Sequence, residues 1–166
     1  MKRSLAAALC VVVLAPAAAF AADSYDILGK DGSKIGQVKL TGAPQGTLID
    51  IELVGGSLTP GRHGLHFHQS GDCSDVGQYK KSGSHVGHAE GKHGLLNPNG
   101  PEPGDLPNLV VAQDGSAQVN LFTSLVKIDE LKDQDGSALI IHANEDDQIS
   151  QPIGKAGDRV ACASIK

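Results

Sequence analysis

Short runs of alternating apolar and polar residues, broken by Gly, Pro and Asp-Gly pairs, recur along the chain from Tyr25 onward. Tyr25-Asp26-Ile27-Leu28 leads into the turn Lys30-Asp31-Gly32-Ser33. Ile35, Val38 and Leu40 lead into Thr41-Gly42-Ala43-Pro44-Gln45-Gly46, and Leu48-Ile49-Asp50-Ile51-Glu52-Leu53 ends in a period of two. Successive strand side chains point to opposite faces, so this period predicts half-buried strands, and the turn residues between them predict hairpins and loops. Leu58-Thr59-Pro60-Gly61 precedes a further strand that carries His66 and His68. Strands are also predicted over residues 109–112, 117–121, 139–142 and 159–165, with a short helical turn at 128–131. About eight short strands and no long amphipathic helix predict an all-β sandwich or barrel.

Residues 70–107 break the pattern. They hold many of the 21 glycines and four of the eight prolines, with almost no apolar alternation. So long a loop inside a compact domain is usually functional or disordered. This one contains His85, His88, His93, Glu102 and Asp105, which favours a loop ordered by metal.

Composition bounds the compartment. Lys2-Arg3, an Ala/Val/Leu-rich core over residues 5–14 and Ala19-Phe20-Ala21 read as an export signal with its cleavage site. The apolar run is too short for a convincing membrane span. The expected organisation is a signal peptide over 1–21 and one domain over 22–166, in the periplasm. Lipidation at Cys10 is disfavoured, because it would leave part of the apolar core attached to the product. Cleavage lowers Lys+Arg from 14 to 12 against 19 Asp+Glu, so the formal charge moves from −5 to −7. An acidic exported chain with no basic stretch argues against nucleic acid or an anionic membrane as partner. Cys73 and Cys162 remain, and in an oxidising compartment one disulfide is expected rather than two free buried thiols. It would close a long loop and stabilise the fold by about 4 kcal/mol in the chain-entropy account.

The candidate chemistry begins at His66-Phe67-His68. Residues i and i+2 of a strand share a face, so the two imidazoles project side by side, and neutral imidazole is a ligand for transition metals. His63 is an odd number of residues from both and points the other way on a regular strand, which favours a hydrogen-bonded structural role. His88 reads as a solvated loop residue.

Together, His63-Gly64-Leu65-His66-Phe67-His68, Gly71-Asp72-Cys73, Gly91-Lys92-His93, Gly104-Asp105-Leu106-Pro107-Asn108-Leu109, His142-Ala143 and Gly157-Asp158-Arg159-Val160-Ala161-Cys162 resemble the exported bacterial Cu/Zn superoxide dismutase family, in order over nearly the whole mature chain. The resemblance implies an eight-stranded Greek-key β-barrel with a long metal-binding loop and an intrachain disulfide, Cys73 to Cys162. It implies His66, His68, His85 and His142 as copper ligands, His85 also bridging to zinc, and His93 and Asp105 as zinc ligands. Arg159 falls at the position that orients the anionic substrate, and Asp146 at that of a carboxylate linking a copper ligand to a zinc ligand. One copper and one zinc per subunit, superoxide as substrate, and a monomer or homodimer follow from the same resemblance. So does an oxidoreductase reaction in which Cu(II)/Cu(I) cycling turns two superoxide anions and two protons into oxygen and hydrogen peroxide, with His85 as proton donor.

The zinc half departs from the family. Where a third zinc histidine is usual, Gly100-Pro101-Glu102-Pro103-Gly104-Asp105 has Glu102, and the segment after the bridging histidine reads His85-Val86-Gly87-His88. Glu102 can ligate zinc as a carboxylate, His88 can supply the imidazole, or the zinc site is weak or vacant. Direct ligation by Glu102 needs no loop rearrangement and is preferred. The altered site leaves an alternative function open, a non-catalytic periplasmic copper-binding protein on the same fold. Lys127, Lys132 and Lys155 are candidates for steering an anion toward copper.

Overall fold

The computed structural model describes residues 21–88 and 92–166, so the export signal expected over 1–21 lies outside the described residues except for Ala21. The strands are β1 (Ala22–Gly29), β2 (Lys34–Ala43), β3 (Gly46–Leu53), β4 (Gly61–His63), β5 (Leu65–His68), β6 (Leu109–Val111), β7 (Ala117–Thr123), β8 (Ser137–His142) and β9 (Arg159–Ile165). One turn of helix, α1 (Ile128–Leu131), stands where the sequence predicts it. Every strand pair is antiparallel. Seven strands form one sheet in the order β5-β8-β9-β1-β2-β3-β7, and β4 pairs with β6.

The predicted strands are all present, and β4 and β5 are one stretch interrupted at Gly64, which accounts for nine elements where about eight are expected. At Gly64 the stretch changes partner: His63 pairs with Leu109 of β6, and Leu65 with Ile141 of β8. A Cβ at Gly64 would lie 2.7 Å from the Cβ of Ala156, so glycine permits the close approach of that loop. The two ends of the long sheet are thereby linked, β5 through β4 to β6 and, across the Asp114-Gly115 turn, to β7. The sheet curls into a half-barrel around its core.

The period of two decides what fills that core. Val38 and Leu40 of β2 face inward with Ile49, Ile51 and Leu53 of β3, while Lys39 and Glu52 face water. Each fully buried Leu, Ile or Phe contributes roughly 1.5–3 kcal/mol from apolar burial. Strand β8 is buried at all six positions, and its alternate residues serve two clusters. Leu139 and Ile141 join the main core with Leu65 and Phe67, whereas Ala138 and Ile140 pack with Tyr79 and Cys162 on the outer face. A strand covered on both faces loses its polar alternation. The cover is the loop after β5, fastened by the Cys73–Cys162 disulfide and by Ser164 Oγ donating to the Gly71 carbonyl at 2.6 Å.

The described residues of the long loop, 70–88 and 92–107, are tied to β5 by backbone pairing. Strand β5 is an edge of the sheet, and an edge exposes unpaired N–H and C=O groups. The loop satisfies them: Phe67 N–H donates to the Gly104 carbonyl, and Val86 N–H donates to the Phe67 carbonyl, both at 2.9 Å. Bridges between His66 and Asp105 and between His68 and His85 follow from the same pairing. The loop histidine and aspartate are thus set beside the strand histidines by the main chain.

Candidate metal centre

On β5, Leu65 and Phe67 point into the core, so His66 and His68 must share the other face. His142 ends β8, next to β5 in the sheet, and His85 reaches the same point from the loop bridge. One ligand nitrogen from each of these four buried histidines lies within 4.8 Å of the others. Each ring of β5 and β8 is pinned from behind. His66 Nε2 contacts Asp146 Oδ2 at 2.7 Å, His68 Nδ1 the Gly83 carbonyl at 2.9 Å, and His142 Nδ1 the Gly157 carbonyl at 3.0 Å. A ring nitrogen facing an acceptor carries the proton, so the other nitrogen presents its lone pair. Those inward atoms, His66 Nδ1, His68 Nε2, His142 Nε2 and His85 Nε2, are buried with no hydrogen-bond partner. Four unpartnered imidazole lone pairs converging on one point fit a copper ion.

The second cluster is His85, His93, Glu102 and Asp105, all buried, with ligand atoms again within 4.8 Å of one another. His85 Nδ1 lies 2.7 Å from Glu102 Oε2 and 3.3 Å from Asp105 Oδ1, and His93 Nδ1 lies 2.7 Å from Asp105 Oδ1. Asp105 Oδ2 accepts the backbone N–H groups of Gly94 and Glu102 at 2.7 and 2.9 Å, which orients its other oxygen. Two imidazoles and two carboxylates fit zinc, although the set is harder and more negative than one rich in histidine. The same ring, His85, faces the first cluster with Nε2 and the second with Nδ1.

Asp146 joins the two clusters from outside. Its Oδ2 holds His66 and its Oδ1 lies 3.1 Å from His93 Nε2. Asn108 clamps the Asp146 backbone, donating to its carbonyl at 2.8 Å and accepting from its N–H at 2.9 Å. Gly154, unremarked in the sequence, packs so closely that any Cβ there would collide with Asp146 Oδ1.

Electrostatics separate the clusters. Burial pushes His66 down to about 4 and His142 down to about 3, and holds His68 well below the ordinary value. Burial acts the same way on His85 and His93, but their carboxylate partners outweigh it. His85 is raised by Asp105 and Glu102, and His93 is pushed up to about 10 by Asp105 and Asp146. Burial would raise Asp105 and Asp146, yet their histidine hydrogen bonds hold both well below the usual carboxylate range.

The signs give a testable acid limb for the metal-free protein. His66, His68 and His142 have lowered folded values, so below about 6.5 the unfolded chain takes up protons that the folded chain refuses. Their contribution is present above that pH and is lost as pH falls, through about 4 for His66 and about 3 for His142, with His68 acting in the same direction. The raised His93 works oppositely, contributing fully below 6.5 and losing its contribution as pH rises through about 10. Thermal unfolding of the metal-free protein at pH 4.5 is therefore expected well below that at pH 7. An equal midpoint at both values would refute the assignment of these three buried neutral rings.

Arg159 starts β9 beside His142, with which it pairs across the sheet. Its Nη1 donates to the Tyr79 carbonyl at 2.6 Å and Ser82 Oγ at 2.9 Å, and Nη2 donates to the Gly83 carbonyl at 2.7 Å. The Gly83 carbonyl thus holds both Arg159 and His68. Arg159 is half-buried and lines a cleft of about 420 Å³ together with Lys30, Lys80, Gly157 and Asp158. Lys30 and Lys80 are therefore the lysines beside the arginine. Lys30 pairs with Asp158 of the same cleft, and none of Lys127, Lys132 and Lys155 lines it: Lys132 pairs with Asp23, Lys155 with Asp147, and Lys127 stands at the start of α1.

Two histidines lie outside both clusters. His63 Nδ1 contacts the His142 carbonyl at 2.7 Å and Nε2 the Thr59 carbonyl at 2.8 Å, the structural role expected from its position. His88 is not simply solvated. Its side chain is 51% exposed, but Nδ1 lies 2.7 Å from Glu102 Oε1. Sequence reading missed the carbonyls of Tyr79 and Gly83 because a backbone acceptor leaves no mark in residue type.

Comparison with known proteins agrees with this geometry. A family model for copper/zinc superoxide dismutase (SODC) matches residues 34–165. The superoxide dismutase [Cu-Zn] of Caulobacter vibrioides is 47% identical over 143 residues, covering 82% of this chain and 80% of that protein. Among solved structures, a SOD-like protein from Bacillus subtilis superposes with a TM-score of 0.78 at 29% identity, covering 89% of this chain and 100% of that one. The Cu/Zn superoxide dismutase from Brucella abortus superposes with a TM-score of 0.71 at 25% identity, covering 88% and 100%. With the family match spanning most of its length and a relative at nearly half identity, the chain belongs to the copper/zinc superoxide dismutase family.

Proposed function

We propose that the protein is a periplasmic superoxide dismutase that holds one copper through His66, His68, His85 and His142 and one zinc through His85, His93, Asp105 and Glu102. The observation that carries this reading is the set of four inward, unpartnered imidazole nitrogens with a guanidinium alongside. When bound, copper supplies one-electron chemistry by alternating between Cu(II) and Cu(I) as two superoxide anions become oxygen and hydrogen peroxide.

The chain's own groups supply the rest. Arg159 places a fixed positive charge beside the histidine cluster, where a small anion docks, on a protein whose net charge repels anions. Its three acceptors lock the guanidinium in place, so docking requires no reorganisation. His85 Nε2 faces the first cluster and, when its lone pair is not engaged by the metal, would hold a proton and deliver it, while the carboxylates at Nδ1 keep the ring from turning away. Export is supported by the disulfide, and by β1 beginning at Ala22, directly after the expected cleavage site. Among the described residues no helix is long and apolar enough to cross a membrane.

Superoxide decay after pulse radiolysis tests this, with copper alone and with copper plus zinc. Catalytic decay that survives a chelator of free copper is expected. Arg159→Ala should lower the second-order rate about tenfold, at the low end of electrostatic focusing, with copper content unchanged. Slow decay with firmly bound copper would instead favour a copper-binding protein, a reading that the Glu102 departure in the zinc half leaves open.

A further inference from the structure

Two departures in the zinc half meet in space. His88 N–H donates to the His85 carbonyl at 3.2 Å, closing a turn of four residues. Gly87 occupies its third position with φ +75°, the conformation that favours glycine there. Gly87 packs flat on Pro103, where a Cβ would collide with the proline ring. The turn therefore lies against the segment that carries Glu102 and brings two imidazoles to one carboxylate. His85 Nδ1 meets Oε2, and His88 Nδ1 meets Oε1, each at 2.7 Å.

The Glu102 side chain is 1% exposed, so water does not satisfy its outer oxygen. Among the described residues, the side-chain partner of Oε1 is His88. A buried carboxylate oxygen without a donor is left unsatisfied at a cost, and near a cation it would turn toward the metal. Ligating groups are commonly fixed by outer hydrogen bonds, and a carboxylate ligand is no exception.

We propose that His88 is a positioning residue: by donating from Nδ1 to Glu102 Oε1, it leaves Oε2 alone for zinc and so keeps the carboxylate a one-oxygen ligand in a four-coordinate site. The usual order, in which a carboxylate orients a ligating histidine, is reversed here, with a histidine orienting a ligating carboxylate. Gly87, His88 and Glu102 then form one unit, in which the turn supplies the donor that the substituted carboxylate requires. The inference rests on the reading of Glu102 as a zinc ligand.

Cobalt(II), loaded at the second site of the copper-loaded protein, is the probe, with zinc affinity from chelator competition beside it. Four-coordinate cobalt absorbs strongly in the visible and loses intensity when a fifth ligand enters. His88→Ala is expected to lower zinc affinity about tenfold or more and to weaken the cobalt bands, as Glu102 binds through both oxygens. His88→Asn, whose amide nitrogen can take the place of Nδ1, should restore both. Wild-type affinity and bands in His88→Ala would overturn the proposal. So would losses in His88→Ala that His88→Asn leaves unrestored, since packing or direct ligation by the ring would then be responsible. Glu102→Ala separates the two layers. Unchanged cobalt bands in that variant would remove Glu102 from the site, whereas altered bands there beside unaltered His88→Ala bands would refute only the role of His88. Neither readout depends on superoxide.

Discussion

Replacing Asp146 with alanine is expected to weaken both metal sites at once, each by about 10–100-fold, the usual effect of removing an outer-shell partner. The side chain is fully buried and its carboxylate spans the two clusters, Oδ2 on His66 and Oδ1 on His93. Without it, the His66 Nε2 proton loses its acceptor in a dry environment, a loss of about 1–3 kcal/mol. The ring then recovers that energy by moving its proton to Nδ1, and Nδ1 is the nitrogen facing the other three histidines. His93 loses one of its two carboxylate partners and is freed to rotate. Asp146→Asn keeps the shape but offers one acceptor where two are needed, so it should fall between wild type and alanine. Copper and zinc affinities from chelator competition, with circular dichroism to verify the fold, provide the check. Affinities equal to wild type in Asp146→Ala would remove this residue from both sites.

Cys73→Ser is expected to lower the free energy of unfolding by about 4 kcal/mol, as the disulfide spans 89 residues of chain. Cys162 is fully buried against Tyr79, Ala138 and Ile140, so changing the less buried Cys73 removes the bond with less disturbance of packing. The bond also ties the loop after β5 to β9. That loop supplies the Tyr79, Ser82 and Gly83 acceptors of Arg159 and the carbonyl behind His68. Loss of the disulfide should therefore loosen the arginine as well as the fold. Urea unfolding with and without reductant measures the effect. Reduced wild type should match the variant, and the variant should be insensitive to reductant. A midpoint unchanged by either treatment would refute the assigned contribution.

How much of this was legible in the chain depends on how local each cause is. The strands were, because side-chain alternation is a property of consecutive residues: Val38 and Leu40, and Ile49, Ile51 and Leu53, carry the period of two that buries them. For the same reason His66 and His68 declared themselves as a pair, while His63 read as pointing elsewhere. The motif order from His63 to Cys162 was enough to suggest the family, and its glutamate in place of a histidine was visible as a departure. The unbroken apolar run of residues 139–141 marks β8 as a strand covered on both faces, but the cover of its outer face was not legible, since Tyr79 and Cys162 reach Ile140 from distant segments.

Side-chain identity along the chain determined the sheet, the paired strand histidines and the inventory of donors at the site. Tertiary structure alone decided how those donors are used. Backbone pairing along the free edge of β5 sets His85 and Asp105 beside the strand histidines, and a turn at Gly87 delivers His88 to the far oxygen of Glu102. Carbonyls of Tyr79 and Gly83 aim Arg159, and Lys30 and Lys80, not Lys127, Lys132 or Lys155, share its cleft. The reason is physical: tautomer, ring orientation and local field depend on which groups meet across the fold, and backbone acceptors from distant segments leave no trace in residue type.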